Sequence, residues 1–138
     1  MTDRPGRLLG LDHGTRRIGV AISDSSQMIA SPYAVLAADS VFEGIEAILH
    51  EEEIVGFVVG LPVSLSGDEG EPARAARRFA QELAERTGRP VELADERFTT
   101  KVAEAALIDA GMRREKRRDI RDKMAATVML QTHLDSIR

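Results

Sequence analysis

Short apolar runs give way along the chain to longer stretches with helical apolar spacing, and these changes of period mark its elements. Arg7 to Leu11 and Ile18 to Ser23 flank a polar turn, Asp12-His13-Gly14-Thr15-Arg16-Arg17, which predicts a β-hairpin. A third strand follows near Ala34 to Ala37, after the breaker Pro32. Ser40-Val41-Phe42-Glu43 has capping-box spacing, and Ile45, Ile48 and Leu49 continue an apolar stripe, so a helix starts there. Ile54 to Leu61 is continuously apolar and closed by Pro62, as in a strand covered on both faces.

A polar loop from Ser64 to Gly70 leads into Pro72, which suits a helix's first turn. That helix turns Ala76, Phe79, Ala80 and Leu83 inward and ends at Gly88. Val91 to Ala94 is the next strand, with Asp95-Glu96 at its end. Thr99 or Thr100 caps another helix, with Ala103, Ala106, Leu107 and Ala110 inward and Gly111 as its stop. Asp119 caps a last helix carrying Ala125, Val128, Met129 and Leu134. The order β-β-β-α-β-α-β-α-α predicts an α/β fold: a mixed five-stranded sheet flanked by helices. A dinucleotide-binding start needs a helix after the first strand, and none is available.

Composition narrows the picture. The 138 residues show no linker or repeat, so one domain spanning 1–138 is expected. Aromatics are only 4%, so the core is aliphatic and stacking platforms for bases are scarce. The absence of cysteine excludes disulfides, thiolate metal sites and cysteine nucleophiles. No apolar run approaches the ~20 residues that span a bilayer, and the first residues lack a signal-peptide core. The default location is therefore cytoplasmic. The net charge of −4 argues against indiscriminate coating of nucleic acid. Yet Arg113, Arg114, Lys116, Arg117, Arg118, Arg121 and Lys123 face only Glu115, Asp119 and Asp122 in their stretch. Such a basic lobe steers a polyanion to one place, although charge alone fits a solvated helix start equally well.

Three carboxylates meet where strands and a helix converge. Asp12 ends the first strand, Glu96 ends the last, and Asp122 lies in the first turn of the last helix. Asp122 shares a stripe with Ala125, Ala126 and Met129, and the two alanines let that helix lie close to the sheet. Hard carboxylate oxygens at strand ends are what Mg²⁺ needs, and hydrated ions of this kind support phosphodiester hydrolysis. Each acid also has a plainer reading: a turn residue for Asp12, a solvated or Arg97-paired Glu96, and a helix-dipole partner for Asp122.

The runs GLDHGTRRIGVAISD (10–24), GLP (60–62), DERFTT (95–100) and RDKMAATVMLQTHL (121–134) resemble the YqgF family, also called RuvX. That group is associated with Holliday junction resolution and with pre-16S ribosomal RNA processing. It belongs to the ribonuclease H-like superfamily, as RuvC resolvases do. The resemblance spans nearly the whole chain, with four motifs in order. It implies a ribonuclease H-like fold and a metal-dependent nuclease using Mg²⁺ or Mn²⁺ on Asp12, Glu96 and Asp122, the three catalytic and metal-binding acids. Arg97 would meet a phosphate, as would the basic lobe of Arg113, Arg114, Lys116, Arg117 and Arg118. Thr99 and Thr100 fit a helix cap better, and His13 has no assigned role. Resolvases usually carry a fourth carboxylate on the last helix. Asp119 could supply it, against its N-cap reading.

Two other functions compete. A similar Asp-x-Gly-Thr hairpin cradles phosphate in actin-like ATPases and sugar kinases, but those enclose a nucleotide between two such domains and this chain supplies one. The other is a non-catalytic RNA-binding ribosome-biogenesis or transcription factor that retains a nuclease fold. All three acids are present, which favours the nuclease. The expected partner is nucleic acid, either a precursor rRNA or a four-way DNA junction, and paired cutting of a junction would use a homodimer.

Overall fold

A computed structural model describes residues 5–96 and 114–137, with the backbone alone at 114–117. The helix expected from Thr99 or Thr100 to Gly111 lies outside the described residues, as do Arg97 and Arg113. Among the described residues, five strands form one sheet in the order β3-β2-β1-β4-β5. They are β1 (Arg7–His13), β2 (Arg17–Ser23), β3 (Ala30–Ala37), β4 (Ile54–Leu61) and β5 (Val91–Asp95). The first three run antiparallel as a meander, while β4 lies parallel to both β1 and β5. Among the described residues, three α-helices accompany them: α1 (Val41–Glu51), α2 (Glu71–Thr87) and α3 (Arg114–Ser136).

Side chains alternate across a strand, and the two faces of this sheet are packed by different helices. Leu9 and Leu11 of β1, Ile18, Val20 and Ile22 of β2, and Phe57 and Val59 of β4 point to one face. There they meet Ile45 and Ile48 of α1 and Phe79 and Leu83 of α2. The other face presents Leu8, Ala21, Val58 and Ala94 to Ala126, Met129, Leu130 and Leu134 of α3. The continuous apolar run of β4 follows from this, because both of its faces are covered.

Several sequence expectations shift by a turn or a few residues. The β1–β2 ladder extends to pair Asp12 with Gly19 and His13 with Ile18. Asp12 therefore lies inside a strand rather than at its end, and the connection shrinks to Gly14–Arg16. The third strand begins at Ala30 and runs through Pro32. Proline is tolerated there because β3 is an edge strand and the β2–β3 register shifts between Val20 and Ala21. Ser40 does precede α1 but makes no side-chain cap bond, since a 3₁₀ turn (Ala38–Ser40) delivers the chain with Ser40 at φ −131°, ψ 27°. Gly88, at φ 67°, ends α2 as expected.

The largest correction concerns the last helix. Asp119 is not its N-cap: α3 already begins at Arg114, and Asp119 is an exposed residue in its second turn. The basic stretch contains no Gly or Pro and is rich in Arg and Lys, good helix formers that one Asp does not interrupt. Asp122 accordingly sits in the third turn, beyond the reach of the helix N-terminus. The inner stripe is Ala125, Ala126, Met129, Leu130 and Leu134, with Val128 only half-buried.

Candidate active site

Asp12, Arg17, Gly19, Gly60 and Glu96 share the face packed by α3, because strand alternation places each two or four residues from a residue of that cluster. Two of these positions have no room for a side chain. A Cβ on Gly19 would collide with the backbone oxygen of Asp122, so the helix touches β2 directly at the turn that carries this acid. A Cβ on Gly60 would lie 2.7 Å from the carboxyl carbon of Glu96. Gly60 belongs to β4, the strand between β1 and β5. Its bare backbone lets the Glu96 carboxyl cross the sheet and hydrogen-bond with Asp12.

Glu96 is buried, only 8% exposed, and Asp12 beside it is half-buried. Burial pushes Glu96 up to about 10, reinforced by the hydrogen bond and charge of Asp12 and by the charge of Asp95. Burial likewise raises Asp12, with the charge of Asp122 adding to the shift and the Glu96 hydrogen bond opposing it. At neutral pH the pair therefore holds a proton between two oxygens that cannot both carry charge out of water. Glu96 Oε2 remains buried with no hydrogen-bond partner among the described residues. An orphaned buried acceptor beside a second carboxyl is a strained arrangement that a cation would relieve.

Asp122 enters the same space but is turned to another partner. Its Oδ2 accepts a hydrogen bond from Arg17 Nε at 2.6 Å, in a partly buried ion pair. Among the described residues, no three His, Asp or Glu side chains cluster closely enough to hold a metal ion as a set. Thus the structure joins Asp12 to Glu96 and brings Asp122 to the cavity without completing the trio. All three line one open cavity of about 570 Å³, together with His13, Arg17, Pro62 and Glu71. The cavity opens at the carboxyl ends of the parallel strands, where ligands of open α/β sheets bind.

The remaining predicted residues fall in three groups. His13 turns its ring to the opposite face, tilted against that of Phe79 at 4.9 Å between centroids, and its pKa is lowered chiefly by burial. Arg118 is exposed on α3, and Arg121 and Lys123 are half-buried. Arg114, Lys116 and Arg117 lie on the α3 backbone. Sequence reasoning gave no role to Arg17 or to the two motif glycines. Arg17 was reachable from alternation alone, since it is two residues from Gly19, the partner of Asp12. The glycines were visible as motif letters, but their use depends on which side chain crosses them.

A mixed sheet in the order β3-β2-β1-β4-β5, with a C-terminal helix packed on one face, has the ribonuclease H-like fold. The same fold occurs in RuvC of Thermus thermophilus bound to a Holliday junction substrate, at a TM-score of 0.55 with 14% identity, covering 95% of this chain and 94% of that one. It occurs also in the Fowlpox virus resolvase in complex with Holliday junction DNA, at a TM-score of 0.55 with 13% identity, covering 95% and 98%. The profile of the RuvX family, described as Holliday junction resolvase, matches residues 6–136, and the chain belongs to that family. Relatives named "Putative pre-16S rRNA nuclease" include one from Roseiflexus sp., 39% identical over the full length of both chains. Another, from Geobacillus thermodenitrificans, is 44% identical over 96% of this chain and 99% of its own.

Proposed function

We propose that this chain is a divalent-metal-dependent nuclease of structured nucleic acid, working as one domain, with Asp12, Glu96 and Asp122 as its metal-binding acids. The observation that carries this reading is the Asp12–Glu96 pair: a buried carboxyl hydrogen-bonded to a half-buried one, with Glu96 Oε2 lacking a partner among the described residues. The donor set suits Mg²⁺ or Mn²⁺, since both take hard oxygens and no cysteine is present to favour a softer ion. When bound, such an ion would lower the pKa of a water and stabilise the leaving oxygen of a phosphodiester. The chain's own contribution is to hold Asp12 rigidly within β1 and to keep Glu96 over the bare backbone of Gly60. Burial of Glu96 limits its screening by bulk water.

The basic residues of α3 serve binding rather than chemistry. Arg114, Lys116, Arg117 and Arg118, with Arg97 and Arg113, supply phosphate contacts that position a backbone next to the turn bearing Asp122. The substrate follows the names of the relatives: the precursor of 16S rRNA, with a four-way DNA junction as the second candidate. The test is purified protein with Mn²⁺, offered both substrates beside an Asp12→Asn control. Cleavage of one substrate by the wild type and not by the variant is expected. Tight binding of RNA without Mn²⁺-dependent cleavage of either substrate would replace the nuclease with a binding factor of the same fold.

A further inference from the structure

The Arg17–Asp122 ion pair is the feature of the cleft that the acids alone do not explain. Arg17 opens β2 on the same face as Asp12, and its Nε reaches Asp122 Oδ2 at 2.6 Å. The two side chains are 31% and 20% exposed, so the pair is partly shielded yet open to the cavity that both line. Asp122 cannot be withdrawn by moving its helix, because the helix backbone at that residue rests on Gly19. Only the side chain is free to choose a partner. Its present partner is a cation fixed to the sheet, in the cavity that Asp12 and Glu96 also line.

We propose that Arg17 is a positioning residue for the metal site. It holds Asp122 aside while the acids are metal-free and gives it up on metal binding, its guanidinium then facing a phosphate of the nucleic acid. This rests on the metal-binding reading above and deepens it. An arginine suits both partners, because its planar donors match carboxylate and phosphate alike. Its single charge opposes a divalent ion entering the same cavity, so the ion must displace it electrostatically as well as sterically. Once released, the guanidinium lies at the cleft rim beside the hairpin turn and offers a phosphate contact at the reacting end of the substrate. A site of this kind favours metal and substrate arriving together, since each relieves a cost left by the other.

The test measures Mn²⁺ affinity by electron paramagnetic resonance of the free ion, in chains checked by thermal melting. Arg17→Gln is expected to bind Mn²⁺ about tenfold more tightly, as a nearby repelling charge is lost and Asp122 is freed. Arg17→Lys, which keeps the charge, should stay near the wild type. Arg16→Gln changes the same charge at the neighbouring exposed position and should move the affinity by less than about twofold. In filter-binding titrations of a four-way junction and an rRNA leader with Ca²⁺, Arg17→Gln should bind more weakly, with the salt slope reduced by about one. In the unaltered chain, the Arg17 Nε–H resonance should lose its protection from solvent exchange when Mg²⁺ is added. Mn²⁺ affinity in Arg17→Gln equal to or below the wild type overturns the proposal, as does a protected Nε–H at saturating Mg²⁺. Asp12→Asn separates the failures. If it binds Mn²⁺ like the wild type, the metal site itself is wrong and the proposal falls with it. If it loses Mn²⁺ while the Arg17 results fail, the site stands and only the role of Arg17 is lost.

Discussion

The two faces of the sheet are built from the same strands for opposite ends. Toward α1 and α2 the strands present Leu, Ile, Val and Phe, and the contact is fully apolar and buried. Toward α3 they present glycine and alanine wherever the helix or an acid must come close: Gly10 against Leu130, Gly19 against Asp122, and Gly60 under Glu96. The first face gains stability from apolar area. The second forgoes some of that area so that a helix backbone and two carboxyls can approach within contact distance of the strands. Substitutions on the first face should therefore weaken folding alone, and those on the second should displace the acids.

Gly19→Ala is the severest test of that division. Its Cβ would collide with the backbone oxygen of Asp122, and neither main chain has a flexible end to yield. A loss of more than about 3 kcal/mol is expected, beyond the usual range for overpacking, together with loss of Mn²⁺ binding. Urea unfolding and a metal titration would measure both. Leu83→Ala on the opposite face removes a fully buried side chain and should cost about 3 kcal/mol. Its Mn²⁺ affinity should remain that of the wild type. A variant at Leu83 that folds but cannot bind metal would show that the two faces are not separable.

Gly60→Ala lies between these extremes. The atom in the way is the carboxyl of Glu96, which can swing aside, so only about 1 kcal/mol of stability should be lost. Mn²⁺ affinity should fall at least about tenfold, since an acid moved by an ångström no longer shares an ion with Asp12. Calorimetry of the variant distinguishes this from a simple packing defect.

Much of this was legible before any coordinates. The apolar run of β4, the inward stripe of α2 and the close-packing alanines at 125 and 126 all lie where their spacing put them, because period and burial are local properties. The positions of Asp12 and Asp122 relative to element ends were misplaced. Ladder extension and the helical tendency of the basic stretch depend on partners and on summed propensity rather than on one residue. The three acids were named from the sequence, but their division into a bonded pair and an arginine-held third was not visible. That division arises because Gly60 separates β1 from β5 by only a backbone, while Asp122 on α3 meets Arg17 at the start of β2. Distances of this kind exist only in the assembled sheet.

The acid pair also sets a pH dependence. Glu96 is pushed up to about 10 in the folded chain, chiefly by burial, while in the unfolded chain it titrates near the ordinary carboxylate value. The folded state then holds a proton that the unfolded state has released. The stability this confers is fully present below the ordinary value and declines as pH rises toward 10. Metal-free protein should lose stability steadily above about pH 5. Glu96→Gln should flatten that slope, as should saturating Mn²⁺ in the wild type. Denaturant midpoints at a series of pH values would show it.

The central claim is that the α3 face holds acids for phosphodiester hydrolysis and that the basic residues of α3 only deliver the strand. It is tested most directly by Glu96→Gln, with nucleic-acid titration and single-turnover cleavage measured on one preparation. Binding of both an rRNA leader and a four-way junction should persist within about threefold, because phosphate contacts carry the affinity. Cleavage should fall by at least about a thousandfold, on the order of what a misplaced catalytic metal costs. Cleavage by Glu96→Gln at the wild-type rate would contradict the claim and leave the acid pair a structural feature of the fold.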